Sequence, residues 1–129
     1  MENERNPSDE VREEAALAAK IAEQNDRFRR KGGADFTVPG QIVLTRGVAD
    51  LSPAAKAIIM QRVQGFDLFT EDNDPYGEHG FGAFEIGGND YHIFWKIDLF
   101  DAEYHMGSDD PGNPTVTRRV LTIMHASEY

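Results

Sequence analysis

The spacing of hydrophobic positions changes along the chain, and each change marks an element. Val11, Ala15, Ala18, Ile21, Ala22 and Phe28 recur largely at three- and four-residue intervals. That period predicts an amphipathic helix with one narrow apolar stripe. Ser8 or Asp9 is expected to cap it, with Glu10, Glu13 and Glu14 near the positive end of the dipole. Gly32-Gly33 stops it. Arg27, Arg29, Arg30 and Lys31 fall in its last turn, where they either complement the dipole or form a phosphate or partner patch. A strand is expected at 41–45, bracketed by Pro39-Gly40 and Gly47. A second helix is expected from Pro53 to about Gln64, capped by Asp50 or Ser52 and ended by Gly65. Its mostly apolar face is Ala55, Ile58, Ile59, Arg62 and Val63.

Residues 71–80 carry loop chemistry throughout. A period of two then appears. Residues 81–86 and 91–98 flank Gly87-Gly-Asn-Asp90, which predicts a hairpin. Tyr91, Ile93, Trp95 and Ile97 share the face expected to be buried, and His92, Phe94, Lys96 and Asp98 the other. Residues 115–124 read as a last strand beside the hairpin, with Arg118 or Arg119 reaching Asp98 or Glu85 as a cross-strand ion pair. The order predicts an α+β fold: an antiparallel sheet of about four strands with two helices packed on one face. Residues 1–7 are expected to form a flexible N-terminus and 8–129 a single domain.

Composition narrows the chemistry. The 129 residues include no cysteine. Disulfides, zinc–thiolate sites and thiol catalysis are therefore excluded. The polar, acidic start lacks the basic and apolar regions of a signal peptide, and no apolar run reaches the ~18 residues of a membrane span, so a cytoplasmic location is expected. Net charge is −10, which disfavours direct contact with nucleic acid. Between Phe66 and Asp110 there are twelve Asp and Glu residues, and the one Lys or Arg is Lys96. Ten aromatics are interleaved with them. Acids mixed with aromatics read as a folded element with a negative surface.

Three chemistries compete for that segment. Asp72-x-Asp74-x-x-Gly77 matches the opening of a calcium loop, but Tyr76 and Ala83 occupy later ligand positions, so no metal or cofactor is expected. His79 has Glu78 and Asp74 as neighbours and could act as an acid/base group in a small enzyme or metal-binding loop. No nucleophile elbow, phosphate loop or dinucleotide fingerprint accompanies it. The third reading is contact: Asp72, Asp74, Glu78, Asp98, Asp101 and Glu103 meet Lys and Arg on a basic protein surface, mimicking the charge of a nucleic acid. An interaction or inhibitor protein is the expectation, with the His79 enzyme as the alternative.

The run Thr70–Glu85 (TEDNDPYGEHGFGAFE), followed by Phe94-Trp-Lys-Ile-Asp98, is distinctive. So are Ile21–Arg29 (IAEQNDRFR) and Arg119–Met124 (RVLTIM). Together they resemble the bacterial domain of unknown function DUF3768 over nearly everything after about residue 20. The family's central motif resembles N-D-P-x-G-E-H-D-F-G, and Gly80 stands here where an Asp is commoner. The resemblance implies an alphaproteobacterial setting, often on plasmids or mobile elements. It implies no reaction. Its setting makes a counter-defence role, anti-CRISPR or anti-restriction, an expectation by association.

Overall fold

The structure, a computed structural model, describes residues 6–88 and 90–129. Most of the expected flexible N-terminus, residues 1–5, lies outside the described residues, as does Asn89 of the hairpin turn. Helix α1 runs Pro7–Arg30. Its cap is Asn6 rather than Ser8 or Asp9: Asn6 Oδ1 accepts from the Ser8 amide at 3.0 Å. Pro7 sits in the first turn, where a missing N–H costs nothing. Strand β1 is Gly40–Leu44, α2 Arg46–Ala49 and α3 Pro53–Gln64. Ser52 Oγ accepts from the Ala55 amide at 3.1 Å and Gly65 closes α3. Strands β2 (Phe81–Ile86), β3 (Tyr91–Asp101) and β4 (Thr117–His125) follow, then a 3₁₀ turn at Ala126–Glu128.

The four strands lie in the order β1-β4-β3-β2. β2 with β3, and β3 with β4, are antiparallel. β1 is parallel to β4, so the sheet is mixed and not purely antiparallel as expected. The cause is the helical crossover. Between β1 and β2 the chain returns through α2 and α3 to the end where it began, so β1 and β2 run the same way. Two reversals, β2 to β3 and β3 to β4, then bring β4 into that direction. The short α2 also raises the expected two helices to three.

One face of the sheet holds the core. Ile93, Trp95 and Ile97 of β3 and Leu121 and Ile123 of β4 pack with Phe28 of α1 and Ile59 and Val63 of α3. This is the face expected to be buried, except at its end, where Tyr91 is exposed. Gly82 faces the indole of Trp95, which occupies the space where a Cβ would stand. The first half of α1 overhangs the body: no residue before Ile21 is buried.

The opposite face carries Phe81, Phe94, Lys96 and Asp98. Tyr129 packs edge-on against Phe81 and Phe94, with ring centroids 6.3 and 5.8 Å away. Glu128 fastens this terminus. Its carboxylate accepts from the His125 amide at 2.8 Å, the Thr45 hydroxyl at 2.7 Å and the Gly47 amide at 3.2 Å. The His125 amide, then Thr45, hold the Glu128 carboxyl below the usual glutamate range. A depressed folded pKa contributes stability that is complete above the ordinary glutamate value and lost as pH falls through the lower one. Wild type is therefore expected to lose thermal stability relative to Glu128→Gln as the pH falls below the ordinary glutamate range, with the two melting curves converging once the carboxyl is protonated in the folded chain. Parallel curves through that fall in pH would refute this role.

Candidate functional site

The two acidic loops, 70–80 and 102–116, sit at one end of the sheet. The first enters β2 at Phe81, opposite Lys96. The second leaves β3 at Asp101 and enters β4 at Thr117, which face each other. One turn of α1 holds both. Arg119 of β4 is fully buried. Its Nε donates to Asn25 Oδ1 at 2.8 Å and its Nη2 to Gln24 Oε1 at 2.9 Å. A guanidinium only donates, so it fixes which way both carboxamides point. Their nitrogens then face the loops: Asn25 Nδ2 donates to the Glu78 carbonyl at 2.9 Å, and Gln24 Nε2 to the Gly112 carbonyl at 2.8 Å. Burial lowers the Arg119 pKa to about 10. Arg119 thus makes no ion pair with Asp98 or Glu85. Arg118 also turns away, donating to the Pro114 and Thr117 carbonyls. Asp98 pairs instead with Lys96 at 3.1 Å and Glu85 with His92 at 3.0 Å. The register explains this: Arg119 lies on the helix-covered face, Asp98 on the other.

The next α1 residue, Asp26, grips His79. Both Asp26 oxygens lie 2.9–3.0 Å from His79 Nδ1, so this nitrogen carries the proton. His79 Nε2 is 3.8 Å from Asp74 Oδ2, and its ring stacks on Phe69 with centroids 3.9 Å apart. The backbone of His79 is left-handed, with φ 55°. Asp74 Oδ1 closes that turn by accepting from the Glu78 and His79 amides at 3.0 and 3.2 Å. Such a conformation is uncommon for a residue with a Cβ and persists where surrounding contacts determine it.

The six carboxylates singled out from the sequence divide into two sets. Asp74, Asp98 and Asp101 have partners within the chain. Asp101 accepts from the His105 and Glu103 amides at 3.0 Å each, and the first of these leads in holding its carboxyl below the usual range. Asp72 and Glu103 are exposed, the latter 3.6 Å from His105. Glu78 is half-buried, its carbonyl held by Asn25, and it borders a groove beside α1. Glu10 and Glu14, on the overhanging half of α1, belong to the same region. Sequence reasoning missed them because a helix dipole already accounts for acids near a helix start. Among the described residues no three His, Asp or Glu side chains are grouped to hold a metal ion. No described helix is long and apolar enough to cross a membrane.

Comparison with curated proteins and with solved structures gave no match. The family model described as "Protein of unknown function (DUF3768)" matches residues 44–128. The matched span holds β2, β3, β4 and both acidic loops, and it begins at the last residue of β1, later than the residue 20 expected from the sequence. The chain belongs to the DUF3768 family.

Proposed function

We propose that this chain works by contact, as a small acidic interaction or inhibitor protein that covers a basic, nucleic-acid-binding surface of another protein. The observation that carries the reading is the placement of the outward carboxylates. Asp72, Glu78, Asp109 and Asp110 have no side-chain partner among the described residues, and all lie on the two loops that α1 clamps at one sheet end. The strand acids Glu85 and Asp98 lie close to His92 and Lys96 on the sheet face, so the contact belongs to the loops, with Asp72 and Glu78 at its centre and exposed Glu103, 3.6 Å from His105, beside them. Loops anchored by buried hydrogen bonds present charge with little ordering cost on binding. The absence of cysteine fits work in the cytoplasm. The mobile-element setting implied by the family resemblance fits a defence complex, such as a CRISPR effector or restriction enzyme, as the target.

The triple variant Asp72→Lys, Glu78→Lys, Glu103→Lys is expected to lose about 100-fold or more in affinity for the captured partner, with an unchanged melting temperature. Binding of the wild-type chain should displace duplex DNA from that partner. Undiminished affinity in the triple variant would overturn the proposal.

The Asp26–His79 hydrogen bond favours a second reading. A carboxylate that orients an imidazole is the arrangement of a general acid/base. On that reading His79→Asn abolishes turnover and leaves partner binding intact.

A further inference from the structure

The overhanging half of α1 and the loops beneath it enclose an open groove of about 550 Å³. Val11, Ala18 and Ile21 line the helix side, and Pro75, Tyr76 and Pro111 the loop side. Three of its large apolar side chains are displayed to solvent, Val11 at 64%, Leu17 at 41% and Tyr76 at 78% exposure, while Ile21 at its inner end is buried. Scattered exposed hydrophobics are ordinary, but several converging on one concave surface mark a binding groove. The expected apolar stripe of α1 therefore has two fates. Its C-terminal part, Ile21, Ala22 and Phe28, is buried in the body. Its N-terminal part lines the groove and, among the described residues, stays largely open to solvent.

The rim identifies what would cover it. Glu14 and Glu78 stand on opposite sides, and Glu10 continues the acidic edge along α1. An apolar floor between acidic rims is complementary to an amphipathic segment with an apolar face and flanking Lys or Arg. The floor follows α1 from Val11 to Ile21, about 15 Å at the rise of a helix. That length suits two to three turns of a helix docking through residues at i, i+3/i+4 and i+7.

We infer that this groove is the anchoring site of the acidic contact surface, and that its occupant is a basic amphipathic helix of the partner. The inference rests on the contact reading above and adds to it a requirement for apolar anchors. Long-range attraction of the loops brings a basic partner in; the groove supplies the short-range apolar contact that holds it.

The test uses two synthetic peptides of about 14 residues with equal positive charge, one an amphipathic Leu/Lys helix, the other a Lys/Ser sequence. Each is titrated into the isotope-labelled full chain, with amide shifts and affinity recorded. The Leu/Lys peptide is expected to shift Val11, Leu17 and Tyr76 and to bind at least tenfold more tightly than the Lys/Ser peptide. Leu17→Ser, at an exposed position that leaves the fold intact, should remove that advantage without altering Lys/Ser binding. If both peptides bind equally and Leu17→Ser changes nothing, the groove is overturned and the acidic contact stands. Shifts confined to the sheet face around Phe94 overturn the groove as well. If neither peptide binds, both readings fall.

Discussion

Arg29→Met is expected to lower the free energy of unfolding by about 3–5 kcal/mol, the range for removing one partner of a buried ion pair. Arg29 is fully buried on the inner side of α1. Its Nη1 donates to the carbonyls of Val63 and Gln64 at 2.9 and 3.1 Å, which are among the last carbonyls of α3 and have no partner within that helix. Its Nη2 donates to Asp26 at 2.7 Å. The guanidinium also lies over Trp95, 5.0 Å from the ring centroid. Burial lowers the Arg29 pKa, and Asp26 opposes that shift. Methionine keeps much of the volume but leaves the Gln64 carbonyl without a donor, the Val63 carbonyl with only the Phe66 amide at 3.4 Å, and Asp26 without its closest cation. Arg29→Lys restores the charge but not the planar fork that spans two carbonyls and a carboxylate, so partial recovery is expected. Denaturant unfolding should show a lower midpoint with an unchanged slope. The exposed neighbour Arg30, 3.9 Å from Asp26, is the control, with Arg30→Met within about 0.5 kcal/mol of wild type. Equal effects from the two variants would show that Arg29 is not the link between α1 and α3.

Gly40→Ala is expected to cost about 3 kcal/mol, at the upper end of the range for overpacking. A Cβ at Gly40 would meet the backbone carbonyl of Arg119 and the ring of Phe28. Gly40 pairs with Arg119 across the parallel β1–β4 contact, so neither backbone can step aside without opening the sheet. Displacing Arg119 also disturbs the hydrogen bonds through Gln24 and Asn25 that hold the acidic loops. Amide spectra of Gly40→Ala should therefore change at Glu78 and Gly112, far along the chain from the substitution. Gly107→Ala provides the contrast. A Cβ there meets nothing within 4 Å, so its stability should stay within about 0.5 kcal/mol of wild type. A Gly40→Ala variant as stable as Gly107→Ala would contradict the close strand contact.

The period-two segments were legible because alternation reports directly on a half-buried strand. The hairpin follows from the Gly87-Gly-Asn-Asp90 turn between two alternating runs, and its core face from Ile93, Trp95 and Ile97, with exposed Tyr91 the exception. Helix α3 was legible at both ends because Ser52, Pro53 and Gly65 act locally. The direction of β1 was not legible, since alternation over five residues is the same read either way. Helix α2, four residues long, is too short to show a period. The buried arginines were hidden for a different reason. Arg29 and Arg119 look like surface residues in a sequence, and their partners are backbone carbonyls and carboxamides that folding brings from 34 to 95 positions away. His79 was read with its neighbours Asp74 and Glu78, yet its closest carboxylate is Asp26, 53 residues distant. The acids themselves could be counted but not sorted. Whether a carboxylate caps a turn, as Asp74 and Asp101 do, or points outward, as Asp72 does, depends on loop geometry that charge patterning does not encode.

The central claim is that outward carboxylates on two clamped loops make a working contact with a basic partner. Its most direct measurement is the affinity of the wild-type chain for that partner over a range of salt concentrations. The expected result is a logarithmic fall of affinity with rising salt, steep in the wild type and nearly flat in the Asp72→Lys, Glu78→Lys, Glu103→Lys variant. An affinity of the wild type that does not change with salt would contradict it.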